Sequence, residues 1–223
     1  MCRLLYLPRE FPRDPTILRP WLMSLDKSFG GDGCGFASFR KGVVKGVGLS
    51  ASQSAKFLRR VKGPLIWHTR RISCGKKIDD LCHPFRTSDG WLAHNGHWHQ
   101  GAYTAALLEG EWSDSKVAAL YIYKFGWEAF TETVSSGVWL HLTQDGCQIC
   151  YESGDLWVEL ETGAVASEPC KGFGVWKPAA TGTYEAGEPV AVAKEKPKTL
   201  FPVHETGAEE WLNKRLSFHW GKD

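Results

Sequence analysis

The chain has 223 residues, enough to bury one large core, with 27 basic and 25 acidic residues and a net charge of +2. That balance argues against a nucleic-acid-binding chain, and no stretch approaches the roughly 20 apolar residues of a membrane span. Seven cysteines, an odd number at irregular spacing, suggest no disulfide framework and point to a reducing, cytoplasmic setting.

Residues 1–223 read as a single domain. It opens MCRLLYL, where Arg3 to Leu7 forms a short buried strand stopped by Pro8. Pro15 to Asp26 follows as an amphipathic helix with Ile17, Trp21, Leu22 and Leu25 on one stripe. GGDGCGFASF is a glycine-rich turn running into a strand, and Ala51 to Arg60 is a second short helix. PLIWHTR has the β-branched and aromatic character of a buried strand, and GWLAHNGHWH reads as a strand interrupted by a tight turn at Asn95-Gly96. Ser113 then fits a helix N-cap and Asp114 the first turn of the helix carrying KVAALYIYKFGWEAF. Residues 136–190 are β-rich, with GVWLHLTQ, DGCQICYES, DLWVELE and TGAVASE separated by Asp-Gly, Ser-Gly and Thr-Gly turns like a meander. GTYEAGEPVAVAKEKPKTL reads as an exposed extension, and Glu205 to Phe218 as a terminal amphipathic helix within the extension at 191–223.

Cys2 raises the first chemical question. Methionine is routinely trimmed before a small residue, which would give Cys2 both a thiol and a free α-amine. A thiol with pKa about 8.5 is only a few per cent ionised at neutral pH, whereas an α-amine near about 7.7–8.0 is roughly one-tenth free base. One residue would then hold a nucleophile and its base. On Cys2 alone, a small apolar residue opening a buried strand is the better reading.

Other motifs change that balance. Cys2, GDGCGFASF, HTRRISCG, CHPF, WLAHNG and SDSKVAAL, in that order within residues 2–121, resemble the class II glutamine amidotransferase domain of the N-terminal-nucleophile hydrolases. The likeness is greatest to stand-alone members beginning Met-Cys-Arg-Leu-Leu. It implies an α+β fold: a four-layer αββα sandwich of two antiparallel sheets flanked by helices. It also implies attack by Cys2 on the glutamine side-chain amide, a γ-glutamyl thioester, and release of ammonia and glutamate. Asn95 and Gly96 would hold the oxyanion, Arg70 the substrate α-carboxylate and Asp114 its α-ammonium. Ser73 stands where relatives carry a threonine near the substrate, and His68 and His83 would brace loops. Gly31 and Gly33 would shape the loop beside the N-terminus. Leu81-Cys82 departs from the Asn-Thr that often precedes His-Pro-Phe in relatives.

The resemblance implies no cofactor or metal, and no nucleic-acid or membrane partner. Its substrate is glutamine or, alternatively, a γ-glutamyl amide of a larger metabolite, with ammonia passing to a separate acceptor enzyme; an inactive scaffold is the alternative of a different class. Two further readings rest on single features. Cys147-x-x-Cys150 with His94, His97 and His99 would suggest a metal site, with His97 and His99 on one strand face, but one CxxC is half of a zinc ribbon. Eleven tryptophans would suit a stacking platform, yet tryptophan is more often core.

Overall fold

The computed structural model describes residues 2–186; the expected terminal helix and the extension at 191–223 lie outside the described residues. Two antiparallel sheets stack face to face. One contains β1 (Arg3–Leu7), β2 (Cys34–Ser38), β3 (Gly42–Gly46), β4 (Leu65–Thr69), β9 (Trp157–Glu159), β10 (Val165–Ala166) and β11 (Trp176–Pro178), in the order β11-β9-β10-β1-β4-β2-β3. The other contains β5 (Phe85–Arg86), β6 (Gly90–Asn95), β7 (Val138–Thr143), β8 (Cys147–Tyr151) and β12 (Gly182–Glu185), in the order β12-β8-β7-β6-β5. Helices α1 (Pro15–Phe29) and α2 (Ala51–Leu58) cover the first sheet, and α3 (His99–Leu107) and α4 (Asp114–Thr131) the second.

Strand periodicity explains the layers. Successive strand side chains point to opposite faces, so Leu5 and Leu7 of β1 join Leu65 and Trp67 of β4 beneath α1 and α2, while Leu4, Tyr6 and Ile66 face the other sheet. On the second sheet Val138, Leu140, Leu142, Cys147 and Ile149 face inward, and Trp139 and Cys150 pack beneath α4 with Trp98, Ile122 and Phe130. The three cores between four layers are the αββα sandwich that the motifs imply. Both central strands are buried on both faces, which is why they read as continuous apolar runs.

Local signals set the helices. Asp14 accepts the Thr16 N–H at the start of α1, and Ser50 forms a capping box with Gln53 at the start of α2. Helix α1 continues three residues past the expected Asp26, with Leu18, Trp21, Leu22 and Leu25 buried and Ile17 partly so. Ser113 caps α4 by accepting the Lys116 N–H at 3.2 Å, and Gly126 (φ 86°) kinks the helix.

Four expectations need correction. Asn95-Gly96 does not turn a hairpin: β6 ends at Asn95 and the chain proceeds into α3, so His97 precedes and His99 begins a helix, and they share no strand face. The missed helix has short, weakly amphipathic character and no side-chain cap at Trp98, so its periodicity was hidden. The expected meander is divided, because β7 and β8 pair in one sheet whereas β9 and β10 join the other. GTYE is not extension but β12, paired with β8. Strand β3, a half-buried edge with glycine at both ends, was also not anticipated. No described helix is long and apolar enough to cross a membrane.

Candidate active site

Sheet register and the start of α4 bring five chain segments to one end of the sandwich. In the β1–β4 pair Arg3 lies opposite Thr69, so Cys2 and Arg70 leave the sheet side by side. The Arg71 N–H donates to Cys2 Sγ at 3.3 Å, and Sγ lies 3.4 Å from the Arg71 carbonyl. Cys34 also lies opposite Thr69 in the β2–β4 pair, which places the glycine-rich loop here: the Arg70 N–H donates to Gly33 O at 2.7 Å and the Asp32 N–H to Arg70 O at 3.0 Å. The end of β6 delivers Asn95 and Gly96, and the first turn of α4 delivers Asp114.

Two glycines permit this convergence. Gly96 has φ 146°, and a Cβ there would stand 2.7 Å from Gly137 Cα and 3.0 Å from His94 Nε2. Gly33 has φ 139°, and its Cβ would stand 2.6 Å from Cys82 Sγ. Any side chain would push apart the strands that carry the site.

Between these segments lies a hollow of about 280 Å³, counting its open mouth. Of the residues anticipated from sequence, Cys2, Arg70, Ser73, His83, Gly96 and Asp114 line it. Ser73 is exposed at the rim, whereas Arg70 and Asp114 are buried. Asn95 is buried at the end of β6 with Nδ2 3.4 Å from Ser167 Oγ, and His68 lies fully buried behind the lining. Sequence reasoning missed Arg71, Cys74, His94, Ser113 and Ser115 as lining residues. All five stood inside the quoted motifs HTRRISCG, WLAHNG and SDSKVAAL, so the motifs held the signal. Nothing marked Ser167, because only the β1–β10 pairing brings it near Cys2.

The charges are arranged unusually. The Arg70 guanidinium donates to the Lys76 carbonyl at 2.7 Å and the Cys74 carbonyl at 2.9 Å, but among the described residues no carboxylate pairs with it. Asp114 accepts the Trp98 N–H at 3.1 Å, the Ser115 N–H at 2.8 Å and Ser115 Oγ at 3.2 Å. Among the described residues no lysine or arginine pairs with it either; its ionisable neighbours are His94 at 4.0 Å and His97 at 3.8 Å. Burial lowers the His94 pKa to about 4, so that ring is neutral at pH 7. The Ser115 hydroxyl donates to the Asp114 carboxylate, which can only accept, and so His94 Nδ1 must donate to Ser115 Oγ across 2.9 Å.

His68 and His83 brace β6. Strand β5 pairs only with Trp91 and Leu92, so the backbone of His94 has no strand partner on that side. His83 Nδ1 accepts the His94 N–H at 3.3 Å, and His68 Nε2 lies 3.0 Å from the His94 carbonyl. Burial lowers the His68 pKa to about 3 and takes that of His83 well below its usual value, so both rings are neutral. Burial likewise raises the Cys2 thiol pKa, only partly offset by the Arg71 N–H and the positive charge of Arg70, while Asp114 raises it further. The resting sulfur is therefore a thiol, and a base has to take its proton before it can attack.

Residues of the metal reading do not converge. Cys147 and Cys150 lie on opposite faces of β8, and among the described residues no group of three or more His, Cys, Asp or Glu is arranged to hold a metal ion. Trp21, Trp67, Trp98, Trp127 and Trp139 are buried core residues.

No protein-family model and no curated protein matches the sequence. Solved structures do match. The glutamine phosphoribosylpyrophosphate amidotransferase from B. subtilis, complexed with ADP and GMP, aligns with a TM-score of 0.59 and 18% identity over 85% of this chain and 50% of its own. A structure described as the allosteric regulatory enzyme of purine biosynthesis aligns with the same TM-score, identity and coverage. This chain thus spans half the length of those proteins. At that identity the likeness is one of architecture: the chain shares its fold, two stacked antiparallel sheets flanked by helices, with the solved structures it resembles.

Proposed function

We propose that the protein hydrolyses the side-chain amide of glutamine, or of a γ-glutamyl amide with the same α-carboxylate and α-ammonium, using Cys2 as nucleophile. The observation carrying this reading is the pair of opposite buried charges, Arg70 and Asp114, that line the Cys2 hollow and, among the described residues, have no charged partner apart from histidine. A buried guanidinium without a carboxylate is costly, and an amino-acid zwitterion satisfies both groups at once. Arg70 holds the α-carboxylate, Asp114 the α-ammonium, and Ser73 at the rim contacts the bound amino acid.

Removal of Met1 frees the Cys2 α-amine. That amine takes the thiol proton as Sγ attacks the amide carbon, which answers the raised thiol pKa. The oxyanion of the tetrahedral intermediate is held by the Asn95 side-chain N–H and the Gly96 backbone N–H. The C–N bond breaks as the α-ammonium returns its proton to the leaving nitrogen, giving ammonia and a γ-glutamyl thioester. Water then attacks the thioester, releasing the acid and restoring the thiol. His68 and His83 do not exchange protons with substrate; they hold the strand that ends in Asn95. Ammonia is released or passes to an acceptor.

Purified protein incubated with glutamine and with a panel of γ-glutamyl amides is expected to release glutamate in equimolar amount with the amine or ammonia. Intact-mass measurement is expected to place the mature N-terminus at Cys2. Absence of turnover on every amide tested, with that terminus present, overturns the enzymatic reading in favour of a binding or scaffold protein.

A further inference from the structure

The hydrogen bonds of Asn95 do not close. Its Nδ2 lies 3.4 Å from Ser167 Oγ, while its Oδ1 is buried without a hydrogen-bond partner among the described residues. Ser167 Oγ already accepts the Leu4 N–H at 3.1 Å. In this arrangement the hydroxyl receives two donors, and its own hydrogen has no acceptor among the described residues. A hydroxyl brings one hydrogen and two lone pairs, and a primary amide brings an acceptor end and a donor end. Half a turn of the amide about Cβ–Cγ resolves the mismatch: Ser167 donates to Asn95 Oδ1 and still accepts from Leu4.

We propose that Ser167 is a positioning residue that holds the Asn95 amide with Oδ1 on the serine hydroxyl, leaving Nδ2 as the free donor for the oxyanion. The proposal rests on the role given to Asn95 above. Orientation matters because the opposite one offers a lone pair to a developing negative charge, so the sign of the interaction depends on which end Ser167 captures. Ser167 is well placed for the task. Its own N–H donates to Leu4 O at 3.0 Å, extending the β1–β10 register of Leu5 with Ala166 by one residue. One serine thus ties the strand that carries Cys2 to the residue that ends β6 in the other sheet.

Neutron diffraction from deuterium-exchanged crystals of the full chain tests this without requiring turnover. Deuterium on Ser167 Oγ directed at Asn95, with the Asn95 deuterons on the end away from Ser167, is the expected result. Asn95 deuterons lying between the two residues overturn the proposal. Kinetics give a second measure. Ser167→Ala is expected to lower kcat roughly 10- to 100-fold with little change in KM, and Ser167→Thr, which keeps the hydroxyl, to recover most of it. In an Asn95→Ala background the serine substitution should cost no more than about twofold; independent, multiplying losses would overturn the proposal. Inactivity of the unmodified protein on every amide would defeat the function proposed above, and the deuteron positions would still decide the role of Ser167.

Discussion

Two buried regions of this molecule treat charge differently. Around β9, Glu159 is 1% exposed and fully engaged: it accepts the Glu161 N–H, the Thr162 N–H and hydroxyl, and the Val175 N–H. Burial alone would raise its pKa, but these hydrogen bonds outweigh burial and hold it below the usual value. Nearby, Arg3 is paired with Glu168 at 2.7 Å and lies 4.3 Å from the Phe29 ring centroid. At the Cys2 hollow, by contrast, among the described residues Arg70 has only backbone carbonyls and Asp114 only hydrogen-bond donors and histidines. In the first region each charge has a charged or hydrogen-bonding partner, although Arg3 Nη1 is buried without one among the described residues, and these charges serve the fold. The second has opposite charges left for a ligand to match.

Experiments can break or sharpen that contrast. The largest effect is expected at Cys2: Cys2→Ala should lower amide hydrolysis by at least about 10³-fold while leaving the thermal midpoint nearly unchanged. Retention of turnover by the alanine protein would separate the hollow from the chemistry. Next come the two charges. Arg70→Lys keeps the charge and loses the fork, and Asp114→Asn removes the negative charge; each should reduce kcat/KM roughly 10- to 100-fold, mainly through KM. Steady-state kinetics showing unchanged KM in both would dissolve the distinction between the regions.

The third effect is on stability against pH. His68, His83 and His94 have folded-state pKa values below the unfolded value, so the unfolded chain binds more protons as pH falls from about 6.5 towards 4. Stability is therefore full above that window and lost on acidification, on the order of 3 kcal/mol for His94 alone. Urea midpoints measured across pH 4–7 should fall with acid, and a flat profile would mean that the site histidines are not held neutral. The smallest effect is expected at Glu159→Gln, which should cost roughly 1–3 kcal/mol of unfolding free energy and leave kcat/KM alone. Loss of activity at full stability would move Glu159 into the second class.

Much of the site was readable in the chain because its chemistry is carried by short contiguous motifs. Cys2 follows Met1, Arg70 ends an apolar run, and Asp114 follows a residue suited to cap a helix. Each of these positions depends on its immediate neighbours. What was missed depends on distant partners: Ser167 meets Asn95 across a separation of 72 residues, and the contact of Ser115 with His94, though both lie in quoted motifs, spans 21. The fold shows the same division. Helices α1, α2 and α4 announced themselves by caps and periodicity, whereas the allocation of β9 and β10 to the sheet opposite β7 and β8 left no local trace. The two sheets bury similar apolar faces, so a strand's composition cannot say which sheet it joins.

The amino-acid order by itself determined helices α1, α2 and α4, most of the long strands, and which side chains bring nucleophile, cation and anion, since turn chemistry, capping and periodicity act over a few residues. Only the tertiary structure decided that Arg70 and Asp114 share one hollow with Cys2, and that Ser167 reaches Asn95. Those outcomes depend on strand register and on the stacking of the two sheets, which are set by the packing of all three cores together.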